Sequence, residues 1–257
     1  MHILVQASVV LLAYIFGSIP FGLLIVKIAT GKDIRQVASG RTGGTNAARA
    51  AGVGAGLLTA VMDGAKGASA VWLAQAVAPT SHGLHVLAPI AAILGHNYSI
   101  FLAERDASNR LRLRGGAGGG PTVGGAFGLW WPSALIVLPL GVLVFFGIGY
   151  ASITTMSMAL IITAIFAIRH TMGLASLPDV WYGVIAFGVL VWALRPNIRA
   201  LIEGRERFHG WRPWKKADMR SPEVKEQPRR SARPARSARQ RSGTKGTRGR
   251  KSASSRS

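Results

Sequence analysis

Three stretches of this 257-residue chain combine residue types that could hold a phosphate. The first is ASGRTGGTNAAR, residues 38–49, in which small residues, hydroxyls and an amide surround Arg41 and Arg49. Successive backbone N–H groups in such a loop can form an anion-binding nest. A guanidinium adds a planar fork matched to phosphate oxygens. No Gly-Lys-Ser/Thr follows the glycines, so this is not a P-loop; a polar connector carrying helix caps is the other reading. The second stretch is VMDGAKGA, where Asp63 and Lys66 stand three apart and share a helix face. Charges inside an apolar helix pair with one another or line a polar cavity. An ion pair that only lets the helix sit there is the plainer alternative. The third is LGHNYSIF, residues 94–101, followed by RGGAGGG, residues 114–120. The glycine loop reads as a phosphate cradle or as a hinge, and a lone histidine such as His96 is more often a structural hydrogen-bonder than a catalyst. There is no nucleophile elbow, no metal-spaced histidine cluster and no cysteine. Thiolate, disulfide and Cys-metal chemistry are thereby excluded.

The elements that must position these stretches are apolar. Residues 3–26, 67–103, 115–168 and 180–194 contain no Lys, Arg, Asp or Glu, and a charge at mid-bilayer costs several kcal/mol. A helical span takes roughly 17–25 residues. Span one is expected at about 3–27, without a basic segment before it, and so is retained rather than cleaved as a signal peptide. Span two is expected at about 53–77, interrupted by Asp63 and Lys66, and span three at about 85–103. The run 115–168 divides into three shorter spans, with breaks at WWPS (130–133) and GYAS (149–152), and the last span covers about 180–194. The basic loops holding Lys32, Arg35, Arg41 and Arg49, and then Arg105, Arg110, Arg112 and Arg114, belong on the cytoplasmic side. An even number of spans must separate each from the basic tail. The expectation is an all-α polytopic membrane protein of about seven transmembrane helices, some short, with the N-terminus outside. Trp130 and Trp131 then lie at the outer interface, and Arg169, His170 and Asp179 also face outside, against the charge rule.

The net charge of +21 is unevenly placed. Residues 1–204 hold 13 Lys/Arg against 6 Asp/Glu, and residues 205–257 hold 18 against 4. The second segment has no apolar periodicity and is rich in Arg, Ser, Gly and Pro; such composition does not bury enough surface to fold. It is expected to be a disordered basic cytoplasmic tail that touches anionic lipid headgroups. No aromatic residue is interleaved after Trp214, so no specific nucleic-acid partner is expected.

In their order, GSIPFG (17–22), SGRTGGTNAAR (39–49), MDGAKG (62–67), LGHNYSIF (94–101), RGGAGGGPT (114–122), GYAS (149–152) and RPNIRALIEGRE (195–206) resemble the bacterial membrane acyl-phosphate:glycerol-3-phosphate acyltransferases. The resemblance covers about 17–206. It implies a seven-span fold in the bacterial inner membrane, with residues 1–204 as the acyltransferase-like domain. The implied reaction moves a fatty acyl group from acyl phosphate to the 1-hydroxyl of glycerol 3-phosphate, giving lysophosphatidic acid and phosphate, with no metal or cofactor. Position by position, Ser39, Gly40, Gly43, Thr45 and Asn46 would line the phosphate loop, and Arg49 would hold an anionic substrate; Arg41, which has no counterpart in the family motif, would add a positive charge to that loop. Lys66 would contribute charge with Asp63 as its partner. His96, Arg114, Gly115, Gly116 and Gly118 would form the second motif, and Ser152 and Asn197 would contact glycerol phosphate. Ser39, Arg49, Lys66 and His96 would be the catalytic set, the rest substrate-binding. The chain departs from the family pattern where a lysine is usual at Ala117, an asparagine at Arg41, and Arg-His at Ala193 and Leu194. It also carries extra residues between 102 and 113. Two rivals follow: a divergent member that binds lipid or anion without turnover, and a small transporter of phosphorylated metabolites.

Overall fold

The computed structural model describes residues 2–209. The first apolar run forms two helices, α1 (His2–Ser18) and α2 (Phe21–Thr30). Pro20 sits at the break and supplies no N–H to continue the ladder. A 3₁₀ turn at Ile34–Gln36 leads to the short α3 (Gly44–Ala51), then α4 (Val53–Val77) and α5 (His82–Asn97). The sequence expectation carried the third span to residue 103. Instead the helix ends at Asn97, and the apolar residues after it form strand β1 (Ser99–Arg105), antiparallel to β2 (Leu111–Arg114). The extra residues between 102 and 113 are thus the outer half of a hairpin. Its turn is held by Asp106, which accepts from the backbone N–H groups of Ser108 and Arg110.

The charge-free run 115–168 is divided among α6 (Gly119–Leu129), α7 (Ser133–Ile148) and most of α8 (Ala151–Thr171). Pro132 starts α7, and Gly149 ends it in a left-handed conformation at φ 85°. The chain continues through α9 (Leu177–Ala193), which opens on a capping box between Ser176 and Asp179, and α10 (Arg195–Ile202). By length and composition two helical stretches suffice to cross a membrane, Ile3–Thr30 and Ala151–Thr171. The α9–α10 pair, bent by 65°, is a third if taken as one span. The basic tail lies outside the described residues from Gly210 onward.

The bundle is apolar outside as well as inside. Val86, Ile90, Ile93, Ile162, Phe166 and Tyr182 form the main buried cluster. Yet Leu11, Leu57, Trp72, Leu135, Leu143, Leu160 and Trp192 are exposed. A surface of this kind is the one lipid would cover. Arg169 lies over the Trp130 ring at 3.8 Å, so this charge is held by an aromatic face at the α6–α7 end of the bundle.

With lipid outside, helices gain little from hydrophobic burial against one another, and close backbone approach has to supply the packing. The α4–α6 seam shows this. A Cβ on Gly67 would fall on the Pro121 carbonyl, and one on Gly124 would fall on the Gly64 carbonyl. The seam therefore fixes where α6 begins, and α6 begins at the glycine loop. Gly124→Val should lower the melting temperature of the purified protein in detergent, by the equivalent of about 1–3 kcal/mol of overpacking. Gly188→Ala, where an added Cβ meets nothing within 4 Å, should not lower it, since alanine favours a helix interior over glycine.

Candidate active site

The first loop is shaped from within by Asn46. This buried side chain donates to the carbonyls of Ile34 (3.2 Å), Val37 (3.0 Å) and Arg41 (2.9 Å). Those bonds curl residues 34–43 over the start of α3. Gly40 takes φ 68°, which a Cβ would resist. Gly43 caps α3, Ser39 and Thr45 are exposed, and the Ser39 hydroxyl accepts from the Arg41 N–H at 3.4 Å. Arg35 anchors the loop to the hairpin through ion pairs with Asp33 (2.7 Å) and Glu104 (2.6 Å). That hydrogen-bonded pair holds the Asp33 carboxyl below the usual range.

The glycine loop is pressed against the end of α5. The Gly116 N–H donates to the His96 carbonyl at 2.9 Å. A Cβ on Gly115 would strike that carbonyl, and one on Gly116 would fall on His96 Nε2. Only bare backbone fits here. Gly118, at φ 89°, caps α6 against the buried Asn97 side chain. Arg114 stays half-exposed and pairs with Glu104 at 3.3 Å.

Behind the glycine loop lie three buried polar groups. Lys66 is 0% exposed, Asp63 2% and His96 4%. Lys66 Nζ stands 3.0 Å from Asp63 Oδ1, as their spacing on one helix face predicts, and His96 Nδ1 stands 3.4 Å from the same oxygen. Lys66 also donates to the Ile19 carbonyl at the α1–α2 break, and its ammonium lies 4.9 Å from the Phe21 ring centroid.

The two loops meet directly. The Thr42 N–H donates to the Gly115 carbonyl at 3.4 Å. Arg41 donates to the Gly116 carbonyl at 2.9 Å, the Ala193 carbonyl at 2.7 Å and Asn197 Oδ1 at 3.1 Å. Ser39–Asn46, the glycine loop and the α9–α10 junction thus form one surface, backed by Asp63, Lys66 and His96. A second group gathers around the start of α8. Ser152 donates from its hydroxyl to Glu206 at 2.6 Å and from its N–H at 3.3 Å. Arg49 contacts Nε2 of His209, whose backbone N–H donates to the Gly149 carbonyl at 2.6 Å. Among the described residues no group of three or more His, Asp or Glu could hold a metal.

Residues 7–204 match the family model described as glycerol-3-phosphate acyltransferase. The chain belongs to that family. It is 36% identical over 214 residues to a glycerol-3-phosphate acyltransferase of Rubrobacter xylanophilus, covering 81% of this chain and 98% of that one. It is 37% identical over 202 residues to one of Thermus thermophilus, covering 79% and 94%. It is also similar to the crystal structure of PlsY (YgiH), an integral membrane glycerol 3-phosphate acyltransferase, in its glycerol 3-phosphate form. That likeness has a TM-score of 0.66 at 26% identity and covers 80% of this chain and 96% of that chain. This is an acyltransferase family embedded in the membrane, and the resemblance carried by the motifs is thereby shown.

Two residues at the site were not singled out from sequence. Glu206 stood only inside the RPNIRALIEGRE motif. His209 lies beyond the family match, in an arginine-rich stretch that gives no signal of its own. A guanidinium only donates, so the contact with Arg49 favours the neutral form of the His209 ring. Burial, and then the Arg49 charge, hold His209 below the ordinary imidazole value. Its packing therefore contributes fully above about pH 6.5 and is lost as pH falls through the lowered value. In an NMR titration His209 should protonate below that ordinary value, and Arg49→Ala should move it upward. A normal midpoint that ignores Arg49 would show that the two are apart in solution.

Proposed function

We propose that the protein transfers a fatty acyl group from acyl phosphate to the 1-hydroxyl of glycerol 3-phosphate, releasing lysophosphatidic acid and inorganic phosphate. The observation that carries this reading is the meeting of two glycine-rich loops, joined at Thr42–Gly115 and Arg41–Gly116, on a membrane-embedded bundle of the acyltransferase family. Two phosphate-bearing substrates call for two such stretches of open backbone. The related PlsY structures, in glycerol 3-phosphate and lysophosphatidic acid forms, match the acceptor and the product.

The chemistry asks little of a protein nucleophile. Acyl phosphate is already activated. The acceptor oxygen attacks the carbonyl carbon, the bond from that carbon to the phosphate oxygen breaks, and the hydroxyl proton passes to the departing phosphate. The site brings hydroxyl and carbonyl together, which converts an encounter into an oriented reaction. Backbone N–H groups and the Arg49 guanidinium stabilise charge on the leaving group, while Lys66, paired with Asp63 behind the glycine loop, keeps that loop in place. Ser39, Gly40, Gly43 and Thr45 line the first phosphate subsite, with Asn46 holding their loop in shape. His96 sets the position of Gly115, Gly116 and Gly118, and Ser152 and Asn197 face the glycerol phosphate.

The fold reading that accompanies this has seven crossings of the bacterial inner membrane, with α1–α2 counted once, the N-terminus outside and the basic tail on the cytoplasmic side near anionic headgroups. Residues 1–204 form the catalytic domain. Alternating apolar helices and basic loops support it.

Purified protein given palmitoyl phosphate and glycerol 3-phosphate should release phosphate and lysophosphatidate in equal amounts. Binding of both substrates with no product would point to a non-catalytic binder. Flux into sealed vesicles without chemistry would point to a transporter.

A further inference from the structure

Among the described residues, the Arg41 side chain hydrogen-bonds to both the glycine loop and the α9–α10 junction. Its Nη1 reaches the Gly116 carbonyl, and its Nη2 reaches the Ala193 carbonyl and Asn197 Oδ1. Both Nη2 hydrogens and one Nη1 hydrogen are therefore directed at protein acceptors. What the residue does to a substrate runs largely through the groups it holds.

Two of those groups matter for an anion. The two peptide groups flanking Gly116 are both fixed, its N–H on the His96 carbonyl at 2.9 Å and its carbonyl on Arg41. That orients the backbone leading to the α6 start. Asn197 accepts the Arg41 bond through Oδ1, so its amide N–H₂ faces away from the guanidinium and is presented as a double donor. The placement of the charge is equally specific. Residues 117, 193 and 194 are Ala, Ala and Leu, so neither segment carries a cation there. The guanidinium contacts the carbonyls of Gly116 and Ala193, immediately beside those positions.

We propose that Arg41 is the positioning residue for the acceptor phosphate. It locks Gly116 and Asn197 into one anion-facing surface and supplies there the fixed positive charge that positions 117, 193 and 194 do not carry. This rests on the acyltransferase reading above for the identity of the ligand, glycerol 3-phosphate.

The test uses full-length protein in proteoliposomes, with kinetics for each substrate and a separate titration of glycerol 3-phosphate binding. Arg41→Ala should raise KM for glycerol 3-phosphate by about tenfold or more, leaving that for palmitoyl phosphate within about twofold. Arg41→Lys keeps the charge but not the fork that spans three acceptors, and should recover only a minor part of the loss. Because Arg41 works through Asn197, the double variant Arg41→Ala/Asn197→Ala should be no worse than Arg41→Ala within about twofold. If Arg41→Ala does not purify folded, Arg41→Lys carries the test alone, with weakened glycerol 3-phosphate binding expected. An unchanged glycerol 3-phosphate KM, full activity of Arg41→Lys, or losses that multiply in the double variant would each overturn the proposal. Wild-type protein that binds glycerol 3-phosphate without turnover would contradict the reaction instead. The fold-change in binding on Arg41→Lys would then decide the role of Arg41.

Discussion

A lysine with no exposed surface, in the middle of a 25-residue apolar helix, can remain there only if its charge is answered locally. Asp63, one turn earlier, answers it at 3.0 Å. The Ile19 carbonyl, freed where α1 gives way to α2, supplies a second acceptor. Desolvating both ions costs several kcal/mol each, so such a pair is weak as a source of stability. Its value lies in geometry. The pair ties α4 to the α1–α2 break and brings a carboxylate within 3.4 Å of the His96 ring.

From His96 the constraint passes outward. The ring fills the space that side chains at 115 and 116 would need, and the carbonyl takes the Gly116 N–H. The glycine loop is therefore a backbone moulded to an imidazole that an ion pair holds in place. On its outer side, Arg41 and Thr42 bring the first loop onto the same glycines. The glycine seam between α4 and α6 fixes the remaining end, so the α6 N-terminus and the ion pair share one rigid element. A hinge would need slack at one of these contacts, and each is occupied.

Much of this was legible in the sequence because the signals are local. The i, i+3 spacing of Asp63 and Lys66 specifies a shared face, and charge-free runs broken by WWPS and GYAS mark helix ends. The motif order carried the family. The rest depends on contacts distant in the chain. Nothing near Asn46 says that its amide will face inward to three carbonyls rather than outward. Nothing near Arg41 says that its partners lie at 116, 193 and 197. The apolar run 98–103 reads as an extension of a helix by composition, because hydropathy does not separate a strand from a helix end. The hairpin partner at Leu111–Arg114 decides it. Glu206 and His209 reach α8 and α3 from the edge of the basic segment, where a net-charge reading sees only solvated tail.

The buried Asp63–Lys66 pair holds the glycine loop in place rather than stabilising the bundle. The most direct measurement is a double-mutant cycle of Asp63→Asn and Lys66→Met, read as melting temperature and glycerol 3-phosphate affinity in one detergent. Each single change leaves a buried charge unanswered and should cost about 3–5 kcal/mol of stability, while the double variant should regain most of it. Affinity should stay lost in the double variant, because His96 no longer has its charged partners. A double variant that is stable and binds glycerol 3-phosphate as tightly as the wild type would contradict the account.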